Sequence, residues 1–283
     1  MARPDFRHQL EQAQRQNRSL LCVGLDPEPS RLPEALRDQP DALFAFCAAI
    51  VDATADRVCA FKPQIAYFAA HSGGEAQLER LLAHIRAVAP QVPVILDAKR
   101  GDIGSTAAQY AREAFERYGA DALTLSPYMG SDSISPYWDY PQRGLFLLCR
   151  TSNPGGDDLQ QLPLQDAAGP PGERLYERVA RLAASQWDPH GQTGLVVGAT
   201  YPQELARVRE LAPGLPLLVP GVGAQGGDAA AVVRAGWAGP GTLVVNASRA
   251  VIYAGSGTDF AQAARAAAQA LRDELNAALA APL

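Results

Sequence analysis

The feature that most constrains the fold of this chain is a regular alternation of short apolar runs with longer helical patterns. Eight runs rich in Val, Ile and Leu recur along 283 residues, and near-continuous hydrophobicity of this kind is typical of parallel strands covered on both faces. The predicted strands are Leu20–Leu25, Val58–Lys62, Val92–Asp97, Ala122–Ser126, Gly144–Arg150, Gly194–Ala199, Pro216–Pro220 and Thr242–Asn246. The predicted helices are Asp41–Ala55, Glu75–Ala89, Ser105–Tyr118, Glu173–Gln186, Pro202–Leu211, Gly227–Gly236 and Asp259–Ala280.

Eight such units predict a (β/α)8 TIM barrel of class α/β, formed by residues 1–283 as a single domain. No repeat period and no linker marks a second domain. The stretch at about 152–172 is rich in Pro, Gly, Asp and Gln, and we expect an enlarged loop there, with Asp157 and Asp158 facing solvent. A doubly wound sheet is the structural alternative, because sequence determines strand order poorly.

Charge and hydropathy exclude several classes of partner. The net charge is -5 and the pI is about 5.4, and no basic run occurs, so we expect no nucleic-acid partner. The amino terminus lacks an apolar signal segment and no long apolar stretch follows, so we expect no membrane association and a cytoplasmic location.

The cysteines and histidines indicate neither a disulfide framework nor a metal site. The four cysteines lie inside apolar runs without a C-x-x-C pair, which favours buried free thiols. The four histidines are dispersed, without a spacing typical of metal ligands. We therefore expect no metal and no cofactor.

Polar residues cluster where the predicted strands end. Asp97 and Lys99 follow the third strand, and alternation along a strand predicts that both side chains project from the same face. Asp26 ends the first strand, Lys62 the second and Pro220 the seventh, whereas Ser152 and Arg249 follow the fifth and eighth. In a barrel, the carboxyl ends of the strands meet at one face, so these residues would converge on one cleft.

A glycine-rich segment, Pro220–Asp228, predicts an anion site. Its Gly221, Gly223 and Gly226 fit G-x-G-x-x-G, but no acidic residue follows at the distance a dinucleotide site requires. Loops after the seventh and eighth strands of a barrel often bind phosphate through backbone N–H groups. Gln225 and Arg249 would add side-chain contacts to that phosphate.

Together these segments resemble the orotidine 5′-phosphate decarboxylase family, in its longer bacterial subgroup. The matching segments span nearly the whole chain and are Val23–Asp26, Phe61–Pro63, DAKRGDIGSTA (Asp97–Ala107), PGVGAQGGD (Pro220–Asp228) and Ser248–Arg249. The D-x-K-x-x-D element alone is shared with related phosphosugar enzymes. In that combination the segments imply cofactor-independent decarboxylation of orotidine 5′-phosphate to UMP and CO2, the last step of UMP synthesis.

The resemblance also implies roles for individual residues. Asp97 would lie against the carboxylate of the orotate ring, Lys99 would give a proton to C6, and Lys62 with Asp26 would anchor the charge network and the ribose hydroxyls. Asp102 and Thr106 would enter the site of the neighbouring subunit in a homodimer. Ser152 would contact the pyrimidine, Pro220 would join the substrate-binding residues, and Gln225 and Arg249 would hold the phosphate. Tyr253 lies one residue further from Arg249 than the phosphate-contacting tyrosine of the family, and we leave it out of the set.

Two other functions compete with this interpretation. A related enzyme acting on a sugar phosphate would need Mg²⁺ held by carboxylates. A non-catalytic nucleotide-binding protein would keep the phosphate loop, but it has no use for a carboxylate placed against the carboxylate of its ligand.

Overall fold

A closed barrel of eight parallel strands forms the centre of the molecule. The computed structural model describes residues 5–165, 169–222 and 227–281. The strands are β1 (Leu21–Leu25), β2 (Ala60–Pro63), β3 (Ile95–Arg100), β4 (Ala122–Leu125), β5 (Gly144–Arg150), β6 (Thr193–Val197), β7 (Leu217–Pro220) and β8 (Leu243–Ala247). They are hydrogen-bonded in the order β2-β1-β8-β7-β6-β5-β4-β3, and isolated bridges from Phe61 to Val94 and from Gln64 to Asp97 close β2 onto β3.

Helices surround this barrel. They are α1 (Phe6–Asn17), α2 (Glu34–Arg37), α3 (Ala42–Thr54), α4 (Ala66–Ala69), α5 (Gly74–Val88), α6 (Gly104–Arg112), α7 (Leu175–Ser185), α8 (Pro202–Leu211), α9 (Ala229–Gly236), α10 (Arg249–Ile252) and α11 (Phe260–Ala280). None of them, in the part of the chain that the structure describes, is long and apolar enough to cross a membrane.

The barrel is confirmed, and all eight predicted strands exist. The prediction for the third strand was wrong in its bounds, because β3 begins at Ile95 and continues through Lys99 to Arg100. The helix predicted over Ser105–Tyr118 is α6 followed by a π-helical turn at Glu113–Arg117. The four cysteines are buried free thiols, as predicted, and burial raises the pKa of Cys22 to about 12.

The core has two layers. Inward side chains fill the barrel, among them Cys22, Ala60, Ile95, Ala122, Phe146, Val196, Leu218 and Val244. Outward side chains of the same strands pack against the helices, which explains why each strand is apolar on both faces.

The helix α1 closes the barrel at the end where the strands begin, and the sequence did not predict it. Asp5 caps it, since its carboxylate accepts a hydrogen bond from the backbone N–H of His8 at 2.9 Å. Phe6 and Leu10 are buried in the inner layer, and Phe6 meets Phe146 edge to face with ring centroids 5.6 Å apart. Gly144 is needed beneath this ring, because a Cβ there would lie 2.4 Å from Phe6.

We expect Phe6→Ala to lower the free energy of unfolding by about 3 kcal/mol, since it removes a buried aromatic ring and leaves a cavity. Urea unfolding measures this change. Arg15→Ala on the exposed side of α1 is the control and should change it by less than about 0.5 kcal/mol. Equal midpoints for the two variants would contradict a plugging role for α1.

Candidate active site

The carboxylate of Asp97, at the carboxyl end of β3, is the centre of the site. Lys62 on β2 donates to its Oδ2 with Nζ at 2.8 Å, and Lys99 donates to its Oδ1 with Nζ at 2.6 Å. The hydroxyl of Thr124 on β4 donates to Oδ1 at 2.9 Å. Asp97 and Lys62 are only 7% and 4% exposed, so this ammonium and this carboxylate are buried, whereas the side chain of Lys99 reaches the pair from a more exposed position.

Mutual attraction keeps this buried pair ionised. Burial raises the pKa of the Asp97 carboxyl, but the fields of Lys62 and Lys99 outweigh burial and hold that pKa well below its usual range. Burial lowers the pKa of Lys62, and the fields of Asp97 and then Asp26 reverse this, so that its pKa lies above the usual value. The charges are therefore in place at neutral pH before any ligand binds.

Lys62 and Lys99 are the only two lysines in the chain. Of 25 Lys and Arg residues, the remaining 23 are arginines. Arginine holds its proton at any accessible pH, whereas a lysine ammonium can give a proton away and regain it. Both lysine ammonium groups of the chain donate a hydrogen bond to the carboxylate of Asp97.

The side chains of Asp97 and Lys99 meet as predicted, but regular alternation does not bring them together. The register of β3 against β4 shifts between Leu96 and Arg100, and the backbone at Lys99 is left-handed, with φ of 46°. A bulge in β3 therefore directs the side chain of Lys99 towards Asp97. The alternation of residues along a strand does not predict such a bulge.

A cavity of about 270 Å³ opens beside this cluster at the mouth of the barrel. Its lining residues are Asp26, Lys62, Tyr67, Asp97, Pro220, Gly221, Val222, Asn246, Ala247, Ser248 and Arg249. Arg249 is exposed at the rim. The Oδ1 atoms of Asp26 and Asn246 are buried and find no hydrogen-bond partner among the described residues. Asn246 ends the eighth predicted strand, so its position in the sequence indicates this face, although no role was predicted for it.

The other predicted residues that the structure describes lie outside this lining. Lys99, 46% exposed in its side chain, instead lines a second cavity of about 580 Å³, together with Thr151 and Asn153, the neighbours of Ser152. Ser152 packs closely on Gly198, where a Cβ would lie 2.8 Å from that of Ser152. Asp102 and Thr106 follow β3 and line neither cavity, and Gln225 lies outside the described residues.

Residues 19–267 match the model of the orotidine 5′-phosphate decarboxylase / HUMPS family. The chain belongs to this family. The chain is 66% identical to the orotidine 5′-phosphate decarboxylase of Delftia acidovorans over 276 residues, 98% of this chain and 99% of that protein. It is 67% identical to the enzyme of the same name from Polaromonas naphthalenivorans, over 96% of both chains. Among solved structures, it is similar to the OMP decarboxylase of Leishmania donovani, with a TM-score of 0.83 and 40% identity over 98% of this chain and 100% of that one.

In this member of the orotidine 5′-phosphate decarboxylase / HUMPS family, a buried arginine ties the enlarged loop to the barrel. Arg150, at the end of β5, is 1% exposed, and its Nη2 donates to Oδ1 of Asp157 at 2.6 Å. Its guanidinium carbon lies 4.1 Å from the centre of the Tyr201 ring, after β6. Asp157 is solvent-exposed as expected, yet it also anchors the loop that Ser152 begins.

Tyr253, which follows α10, connects the segment after β8 to the loop after β1. Its hydroxyl accepts from the backbone N–H of Glu28 at 2.6 Å and donates to the backbone carbonyl of Asp26 at 3.1 Å. The guanidinium of Arg31 covers its ring at 3.9 Å. Tyr253 thus holds the Asp26 loop against α10 and does not line the cavity.

The charged cluster should give the protein a defined pH range of stability. Because the pKa of Asp97 is lowered from 3.8, its contribution is present above that value and is lost as the pH falls through the folded-state pKa. Because the pKa of Lys62 is raised from 10.5, its contribution is present below that value and is lost as the pH rises further.

We therefore expect the free energy of unfolding of wild-type protein to fall more steeply below about pH 4 than that of Asp97→Asn. The variant should also be less stable at neutral pH, since it leaves Lys62 buried without its counter-charge. Urea unfolding across the acid range measures both effects. Asp158→Asn, at an exposed carboxylate, is the control and should follow the wild type. Parallel acid limbs for Asp97→Asn and wild type would contradict the ionised pair.

Proposed function

We propose that this protein converts orotidine 5′-phosphate to UMP and CO2, the last step of UMP synthesis, without a cofactor. The observation that carries the proposal is the array of Lys62, Asp97 and Lys99 at the barrel mouth. Relatives named orotidine 5′-phosphate decarboxylase, about two-thirds identical over nearly their full length, support the choice of substrate.

The reaction leaves negative charge on a carbon that has no adjacent electron sink. The bond from C6 to the carboxylate breaks, its electron pair stays on C6, and CO2 departs as a neutral molecule. Lys99 then gives C6 a proton from Nζ and regains one from solvent. Its ammonium gains interaction energy as charge moves onto C6, which stabilises the transition state more than the bound substrate.

Asp97 has two effects in this scheme. It holds both ammonium groups in place, with bonds of 2.8 and 2.6 Å. It also lies near the substrate carboxylate and repels it more than the neutral CO2 that leaves. We assign most of the rate enhancement to the placed ammonium, because electrostatic preorganisation is the larger effect in most enzymes.

The cavity offers complementary groups for the rest of the nucleotide. The Oδ1 atoms of Asp26 and Asn246 are buried acceptors without partners among the described residues, and ribose hydroxyls are donors that would satisfy them. Arg249 at the rim would bind the 5′-phosphate, and Gly221, with φ of 106°, follows β7 and lines the same cavity. Ser152 and Gln225 keep their predicted roles towards the pyrimidine and the phosphate.

The family description also covers enzymes other than orotidine 5′-phosphate decarboxylases, so the Mg²⁺-dependent sugar-phosphate alternative needs its own argument. Both carboxylate oxygens of Asp97 accept bonds from lysine ammonium groups. A metal bound there would have to displace or closely approach these cations, which favours the decarboxylase.

We also propose a homodimer in which Asp102 and Thr106 complete the partner's site. In one protomer these two residues lie apart from the cavity. The loops after β3 and β4 expose large apolar side chains, with Ile103 50%, Tyr128 78% and Met129 47% exposed. Exposed apolar groups on adjacent loops are typical of a surface that another protein covers. The cytoplasmic location stays a prediction.

We expect Lys99→Ala to abolish turnover, since it removes the proton donor and the cation facing C6. Arg249→Ala should mainly raise KM and change kcat less, because it acts far from the bond that breaks. The loss of orotidine 5′-phosphate absorbance in EDTA measures both. Arg234→Ala, at an exposed arginine in the last turn of α9, is the control for the loss of a positive charge.

The same assay separates the alternatives. Turnover in EDTA supports the decarboxylase, and an active Lys99→Ala protein would overturn the mechanism. Turnover of a sugar phosphate that EDTA stops and Mg²⁺ restores would move the assignment to that related enzyme. Tight binding of UMP with no turnover would indicate a binding protein.

Shared sites should reveal themselves by complementation. Asp102→Ala and Lys99→Ala homodimers should each be nearly inactive. Mixing equal amounts and letting them reassociate should restore about a quarter of wild-type activity, because about half of the dimers are then mixed and each mixed dimer has one intact site of two. Size-exclusion chromatography confirms exchange. If exchange occurs and activity does not return, Asp102 acts within its own protomer and the shared-site proposal fails.

A further inference from the structure

The bulge in β3 is opposite a single residue of β4. Leu96 pairs with Leu123 and Arg100 pairs with Leu125, so the residues Asp97, Ala98 and Lys99 all stand opposite Thr124. Three residues against one leave backbone N–H groups that the normal ladder cannot satisfy. Their partner must come from elsewhere.

The Thr124 hydroxyl supplies that partner. Oγ1 accepts from the backbone N–H of Ala98 and from that of Lys99, both at 3.0 Å, and it donates to Oδ1 of Asp97 at 2.9 Å. A hydroxyl has one donor and two acceptor positions, and all three are used here. Thr124 is 2% exposed, so water does not compete for them.

The backbone that this hydroxyl holds is an uncommon one. Lys99 and Arg18 are the non-glycine residues with positive φ in the described ranges, and Arg18 is the left-handed cap of α1, where such a conformation is ordinary. Lys99 has φ of 46° with no helix to cap. A non-glycine residue persists in this region only where its surroundings hold it there.

We infer that Thr124 is a positioning residue for Lys99: its hydroxyl maintains the bulge that brings the Lys99 ammonium onto Asp97. Without the hydroxyl, the N–H groups of Ala98 and Lys99 lose their acceptor, and β3 relaxes towards a regular strand. The side chain of Lys99 then leaves its place beside Asp97. The kinetic consequence rests on the proposed function, whereas the placement of Lys99 is a property of the free protein.

Two substitutions separate this role from simple packing. Thr124→Val keeps the shape of the side chain and removes the hydroxyl, whereas Thr124→Ser keeps the hydroxyl and removes a methyl group. If packing alone matters, Val should be the milder change. If the hydroxyl matters, Ser should be the milder one. Thr124→Ala replaces Val as the variant without a hydroxyl if Val does not fold.

The chain itself provides a selective probe, because Lys62 and Lys99 are its only lysines. Protein produced with [ε-13C]lysine should give two side-chain signals in a 1H–13C spectrum, assigned with Lys99→Arg. We expect Thr124→Val to shift the Lys99 signal while leaving the Lys62 signal near its wild-type position. Thr124→Ser should resemble the wild type.

In the decarboxylase assay, Thr124→Val should lower kcat by about 10- to 100-fold with little change in KM, as expected when a reacting group is misplaced by a fraction of an ångström to an ångström. Thr124→Ser should recover most of kcat. Unchanged Lys99 signals in the folded Val or Ala variant would overturn the inference. A shifted Lys99 signal in a protein whose wild type does not turn over orotidine 5′-phosphate would support the placement and contradict only the proposed function.

Discussion

The barrel depends on a buried ion pair at the place where its sheet closes. The strands β2 and β3 are joined by isolated bridges instead of a continuous ladder, and the bond between Lys62 and Asp97 crosses that same junction. Removing either partner would leave the other charged and buried, which destabilises proteins by several kcal/mol. Lys62 and Asp97 also line the cavity at the barrel mouth, so the groups that join β2 to β3 are the same groups that the proposed reaction uses.

The inward register of the strands explains how a polar site forms directly above an apolar core. Cys22, Ala60, Ile95 and Ala122 fill the interior. Two residues further along the same strands lie Gly24, Lys62, Asp97 and Thr124, and the step from Val244 to Asn246 on β8 repeats the pattern. Since side chains on one face recur every second residue, a single pleat separates the dry core from the site. Gly24 is required in this layer, because a Cβ there would lie 1.9 Å from Oγ of Ser248.

Sequence periodicity was sufficient for the barrel and for most of its mouth, because parallel strands buried on both faces leave an unmistakable apolar pattern. It was insufficient for α1, whose apolar face is only Phe6, Leu10 and Ala13 within a segment rich in Gln and Arg. Periodicity also did not predict the bulge in β3 or the role of Thr124, because a threonine in an apolar strand is typical of regular β-structure. The ion pair between Arg150 and Asp157 could not be predicted either, because it depends on how the loop after β5 folds back onto the barrel.

The charge balance of the site has a consequence for catalysis. Lys62, Asp97 and Lys99 together carry one net positive charge, and Asp26 nearby brings the group towards neutrality. A substrate carboxylate therefore enters a set of charges that already compensate one another. In the proposed reaction, the negative charge of the departing carboxylate moves to a carbon beside the Lys99 ammonium, which Asp97 already holds in place. Groups that β2, β3 and β4 hold in fixed positions would then stabilise this charge without the reorganisation that solvent requires, and the bulge in β3 is the local distortion that places Lys99 among them.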